Sequence, residues 1–189
     1  MIDLVWLVPL FPLVGFLTIL VGGRKLGEPK AGYLATAMVL LSFATAVAIY
    51  FDLLSRDSES RSEVVNIFSW VPVGDLQIDM AFLVDPLSST MLLFVTGIGA
   101  LIHLYSVGYM HGDPKFSKFF LYLNLFVLSM TLLVLGSNLL VTFLGWEGVG
   151  LCSYGLIGFW YRKLENAKAG VKAAGVVIDD TAVTPGYVI

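Results

Sequence analysis

Residues 139–159 read Leu139-Leu-Val-Thr-Phe-Leu-Gly-Trp-Glu-Gly-Val-Gly-Leu-Cys-Ser-Tyr-Gly-Leu-Ile-Gly-Phe159. The stretch is long enough to cross a bilayer, which takes about 20 apolar residues, and it carries one formal charge, Glu147, near its middle. An ionised carboxylate at that depth costs about 2.5 kcal/mol or more, so acids there are rare, face a partner or a water-filled space, and mark proton or ion pathways. Two readings of Glu147 stay open: a relay acid, or a protonated carboxyl that packs one helix against another.

Working outward, the same apolar character recurs. Hydrophobic residues make up 58% of the 189 and charged residues 13%, and the mean hydropathy is +0.87. Soluble domains run near 45–50% apolar and about 25% charged, so the composition is that of a multi-pass membrane protein. Five stretches qualify as spans, at 4–22, 32–54, 83–106, 119–136 and 139–161. The first starts with Asp3 and lacks the basic flank of a signal peptide, and it reads as a retained span that Pro9 and Pro12 bend without shortening. Gly22–Lys30 and Ser55–Glu63 are polar breaks, Gly112-Asp-Pro114 is a turn, and Gly136-Ser-Asn138 leaves spans 4 and 5 as a tightly connected antiparallel pair.

Residues 64–80 differ in kind. Val64–Trp70 and Leu76–Met80 alternate apolar and polar side chains around Val71-Pro-Val-Gly-Asp75, the pattern of a β-hairpin with a Pro/Gly/Asp turn. The expected architecture is therefore an all-α polytopic membrane protein with about five transmembrane helices and a small external β-hairpin between helices 2 and 3. Lysine and arginine placement sets the orientation. Arg24, Lys25, Lys30, Lys115, Lys118, Arg162, Lys163, Lys168 and Lys172 fall on one side and only Arg56 and Arg61 on the other, which puts the N-terminus and the hairpin outside.

The net charge of -3 and the lack of a basic cluster exclude nucleic acid as a partner, and a single cysteine, Cys152, excludes an intrachain disulfide or a CxxC metal site. No phosphate-cradling loop, haem ligand set or Ser/His/Asp arrangement is present. Secondary candidates accompany Glu147. Tyr154 lies two turns along on the same face and could join a water-linked chain or simply line a core. His103, near the inner end of span 3, is a relay candidate or a structurally hydrogen-bonded ring. Asp85, in Asp-Pro-Leu-Ser, reads first as a helix cap. The glycines of span 5 allow close approach of a neighbouring helix, and equally leave room for water beside Glu147.

The strings His103-Leu-Tyr-Ser-Val-Gly-Tyr-Met110, Phe119–Met130, Gly145-Trp-Glu-Gly-Val-Gly-Leu-Cys-Ser-Tyr154, Leu156–Tyr161 and Phe82–Ser88 resemble the L subunit of respiratory complex I, the bacterial counterpart of mitochondrial NADH dehydrogenase subunit 5. The resemblance covers about residues 1–173. It implies an antiporter-like membrane subunit that moves protons while other subunits, carrying FMN and iron–sulfur clusters, oxidise NADH and reduce quinone, with no cofactor in this chain. It implies other membrane subunits of the complex as partners and the bacterial plasma (inner) membrane as location. Glu147 matches the family's fifth-span glutamate, which the resemblance pairs with a lysine two spans later.

Three departures stand out. Gly155 replaces a usual leucine, Gly175–Ile189 does not match the family's sixth span and reads as an atypical tail, and the partner lysine has no substitute here. The expectation is thus an incomplete antiporter-like fold, an N-terminal piece not competent alone. A subunit of a multi-subunit cation/proton antiporter and a non-catalytic membrane scaffold are the alternative readings.

Overall fold

A computed structural model describes residues 1–57, 60–73 and 76–174. After a short 3-10 turn at Ile2–Leu4, the order is α1 (Leu7–Leu26), α2 (Lys30–Leu54), β1 (Glu63–Val73), β2 (Leu76–Val84), α3 (Pro86–Tyr109), α4 (Phe116–Leu135), α5 (Leu139–Ile157) and α6 (Leu164–Ala173). The first five helices are each long and apolar enough to cross a membrane. Large apolar side chains stand exposed along α1, α2, α3 and α5, with Val21, Leu87, Leu101 and Leu139 among the most open, as expected where the surroundings are lipid or other membrane helices, whereas none does on the more enclosed α4.

The span boundaries shift by a few residues, for local reasons. Helix α1 runs past Gly22 to Leu26, with Arg24 and Lys25 in its last turn, where cations favour the negative end of the helix dipole; Gly27, at φ 59°, then ends it. Span 3 begins at Pro86, not 83, because Leu83 and Val84 complete β2. Asp85 caps α3 as the sequence indicates: its Oδ1 accepts from the Ser88 N–H at 2.6 Å while Ser88 Oγ accepts from the Asp85 N–H at 2.9 Å, the reciprocal bonding of a capping box. Helix α5 stops at Ile157 rather than 161, and Gly158 N–H closes its last turn onto Tyr154 C=O. Beyond α5 the chain forms the ten-residue α6, packed through Gly170 against Gly158.

Pro12 lies inside α1 and has no N–H for the Val8 carbonyl four residues back. The hydroxyl of Ser42 on α2 donates to that carbonyl instead, at 2.7 Å and fully buried. Sequence, backbone chemistry and helix pairing meet in this one bond. Ser42→Ala is expected to leave the carbonyl unsatisfied, costing about 1–3 kcal/mol, and a lowered thermal midpoint of the detergent-solubilised protein would report it.

The hairpin is antiparallel and longer than the alternation suggests. Val71–Val73 belong to β1, and pairing extends from Glu63 opposite Val84 to Val73 opposite Leu76, with irregularities between Asn66 and Phe68 and between Ser69 and Val71. Gly74 and Asp75 of the expected turn, like the expected tail 175–189, lie outside the described residues. The base of the hairpin docks on the α4–α5 connector: Ser137 N–H donates to Ala81 C=O at 3.2 Å, and Asn138 Nδ2 donates to Asp79 C=O at 2.8 Å. Asn138 also caps α5, its Oδ1 accepting from the Leu140 and Val141 N–H groups.

The terminal ammonium lies 3.4 Å from Asp52 at the end of α2, so the N-terminus and the hairpin share one end of the bundle. At that end Arg56 is held by Asp52 at 3.1 Å and Glu63 at 2.8 Å. The opposite end is held by Glu28, which takes the Gly112 N–H at 3.0 Å and contacts His111. Gly112 adopts φ 80° there, a conformation that favours glycine. Between the ends, Val39, Ala100 and Val127 form a narrow middle layer of the core.

Candidate functional site

Helix α5 packs on α4 through Gly145, Gly148, Cys152 and Gly155, positions that recur on one face at helical spacing. A Cβ at Gly145 would fall on the Leu133 backbone and one at Gly148 on Ser129 Oγ. At Gly155 it would lie 2.7 Å from the Tyr122 ring, and Cys152 is fully buried. These glycines therefore serve close helix approach. Gly150 meets nothing within 4 Å and plays no part in that contact.

Glu147 faces the other way. It is exposed, as are Phe143, Trp146, Leu151 and Tyr154 on the same side of α5, and among the described residues no hydrogen bond or ion pair engages its carboxylate. That geometry disagrees with an acid used to pack these five helices together. The spans carry lysine or arginine only at their ends, at Arg24, Lys25, Lys30 and Lys118, so none of them supplies a mid-membrane cation.

Tyr154, two turns from Glu147 or about 10 Å along the axis at 1.5 Å per residue, opens onto a cavity of about 180 Å3 that it shares with Lys118, Tyr122 and Tyr161. Lys118 and Tyr122 are one turn apart on α4, and Tyr161 follows Tyr154 by seven residues. That spacing was readable in the sequence, but only the α4–α5 register brings the four polar groups together. Gly155 bears on this directly, because its missing side chain is what the Tyr122 ring occupies.

His103 is drawn into the bundle interior. It is 1% exposed, its Nδ1 lies 2.7 Å from the Gly99 carbonyl, and its ring sits 6.3 Å from that of Phe120. A carbonyl only accepts, so Nδ1 carries the proton. Nε2 meets no partner among the described residues, and neither does Oδ1 of the fully buried Asn124 on α4. With His103 inside and Glu147 outside, the structure does not bring the two candidates together. No group of three or more His, Cys, Asp or Glu able to hold a metal occurs among the described residues.

Five membrane-length helices and a docked surface hairpin, with an exposed acid on α5 that has no partner among the described residues, define a polytopic membrane protein. Comparisons with known proteins narrow the class. Residues 70–120 match the family described as NADH-Ubiquinone oxidoreductase (complex I), chain 5 N-terminus, and residues 136–177 match NADH:quinone oxidoreductase/Mrp antiporter, TM. NADH-quinone oxidoreductase subunit L of Mycobacterium tuberculosis is 45% identical over 168 residues, 89% of this chain and 26% of the relative. The subunit L of Escherichia coli is 41% identical over 164 residues, 87% of this chain and 26% of the relative. NADH-ubiquinone oxidoreductase chain 5 of Allomyces macrogynus is 38% identical over 162 residues, 86% and 25%. The chain spans about a quarter of the length of the curated relatives it matches. It belongs to the antiporter-like family of complex I membrane subunits, matching the N-terminal portion of subunit L and chain 5.

Proposed function

We propose that this chain forms the proton-loading part of a proton-translocating subunit of NADH-quinone oxidoreductase, with Glu147 as the acid that holds the proton. The observation that carries the reading is the outward placement of Glu147 on α5 with no partner among the described residues. An acid so placed can be paired, and its proton affinity switched, by a cation on a helix that closes over this face, since an opposite charge within about 4–6 Å favours the ionised form. The cavity of Tyr154, Lys118, Tyr122 and Tyr161 supplies polar groups between Glu147 and the basic end of the bundle, where a proton would enter. NADH oxidation and quinone reduction take place in other subunits, and the cofactors for them reside there.

The positive-inside rule places the basic end on the cytoplasmic face of a bacterial inner membrane, with the N-terminus and hairpin outside. The five spans contain no mid-membrane lysine or arginine, so transport requires helices beyond those described. NADH-driven acidification of inverted membrane vesicles from cells carrying the full-length subunit tests the reading. Acidification that proceeds without sodium and is lost with Glu147→Gln supports it. Sodium-dependent proton movement without NADH would instead favour the cation/proton antiporter reading, which the family match over residues 136–177 names alongside the complex I one. Within the proton reading, Tyr154→Phe keeps the ring and loses the hydroxyl. It is expected to slow vesicle acidification several-fold, less than loss of a proton-holding acid, because water can replace one hydroxyl in a chain.

A further inference from the structure

At the basic end a cavity of about 500 Å3 lies between Asp113–Lys115, in the turn joining α3 to α4, and Trp160–Lys163, just beyond α5. We propose that this cavity binds the phosphate headgroup of an anionic phospholipid.

Charge comes first. Lys115, Arg162 and Lys163 line the cavity against the single carboxylate of Asp113, and that carboxylate is engaged on both oxygens. Its Oδ1 accepts from the Lys115 N–H at 2.7 Å and its Oδ2 from Trp160 Nε1 at 3.0 Å. Asp113 thus ties the α3–α4 turn to the segment after α5, while no carboxylate among the described residues pairs with the three cations. The Lys115 ammonium sits 3.9 Å from the centroid of the Tyr161 ring, with Lys118 6.0 Å from it. The field they create acts on Tyr161: its hydrogen bond with Lys115, and then the nearby charges of Lys115, Lys118 and Arg162, hold its phenol below the usual tyrosine range. The cavity thus presents three cations against one carboxylate that is already engaged.

Position selects a lipid over a free anion. The cavity opens where two spans end, and Trp160, Tyr161 and Tyr109 stand partly exposed beside it, with the Tyr109 and Trp160 rings 6.3 Å apart. Tryptophan and tyrosine gather at the level of the headgroups, and basic pockets between helices on the cytoplasmic side suit acidic headgroups. A phosphate held by Lys115, Arg162 and Lys163 would leave its acyl chains along the aromatic wall. The site does not depend on Glu147, so it stands or falls apart from the proton reading.

The assembled complex carrying the full-length subunit, reconstituted with a photoactivatable phosphatidylglycerol or with the matching phosphatidylcholine, tests this. Labelling of residues 113–115 and 160–163 is expected to be at least about tenfold stronger with the anionic probe, a floor below what three full basic contacts would supply. It should fall to the phosphatidylcholine level in Lys115→Gln/Arg162→Gln/Lys163→Gln, and persist in Lys115→Arg/Lys163→Arg, which keeps the charge and checks that the fold survives. Equal labelling by the two lipids would overturn the proposal. So would competition by millimolar inorganic phosphate, which would identify a free-anion site, or protection of the cavity in the wild-type complex by an acidic segment of another subunit.

Discussion

Glu147→Gln in the full-length subunit is expected to abolish most NADH-driven proton translocation while leaving the complex assembled. The substitution preserves the size of the side chain and removes only its capacity to hold and release a proton. Because Glu147 lies on the outward face of α5 and is bonded to nothing in the described chain, the five-helix bundle loses no contact. Positioned proton-transfer groups contribute about 10²–10⁴-fold to the steps they serve, so a fall of at least about tenfold in the initial rate of vesicle acidification follows. Glu147→Asp retains a titrating group one methylene short and should fall between the two. The measurement pairs that rate with the amount of assembled complex on a native gel. Wild-type acidification in a Gln variant that assembles normally would sink the relay assignment. Loss of assembly with unchanged transport per complex would return Glu147 to the role of a packing carboxyl.

Gly145→Val is expected to produce the largest structural effect in the chain. Its Cβ would meet the Leu133 backbone of α4, and a backbone in the middle of a helix cannot rotate aside as a side chain can. Helices α4 and α5 would have to separate, forfeiting the contacts made by Gly148, Cys152 and Gly155. Overpacking of a closed contact costs about 1–3 kcal/mol and occasionally more, and an obstruction by backbone belongs at the upper end. Gly150→Ala supplies the comparison: with nothing within 4 Å, it should be neutral or stabilising by up to about 1 kcal/mol through helix propensity. Heat-step aggregation of the detergent-solubilised full-length protein measures both. A Gly145→Val protein as stable as the wild type would show that α4 and α5 do not close as described.

Much of this was legible in the residues. The five spans follow from hydropathy and length, the α3 cap from Asp85-Pro-Leu-Ser88, and the short α4–α5 connector from Gly136-Ser-Asn138. The resemblance carried by the region around Trp146-Glu-Gly-Val-Gly-Leu151 agrees with the matches over residues 70–120 and 136–177. The misplacements are local. Apolar Leu83 and Val84 read as the start of a span because an apolar run does not distinguish a strand end from a helix start. Trp160 and Tyr161 read as the end of α5, although aromatic residues suit the interface as well as the span.

What the sequence by itself determined is the membrane character, the number of spans, the basic and acidic ends and the one intramembrane acid, all set by local composition along one dimension. Which way α5 turns was left to the tertiary structure. A helix apolar on nearly every side carries no hydrophobic periodicity to mark its packed face, and Gly150 and Gly158 blur the spacing of Gly145, Gly148 and Gly155. Only the contact with α4 decides that Gly145, Gly148 and Gly155 lie against that helix and Glu147 is turned outward. The same contact gathers Lys118, Tyr122, Tyr154 and Tyr161 into one cavity, while the packing of α3 sends His103 into the core, because proximity between helices is a property of their register and not of either sequence alone.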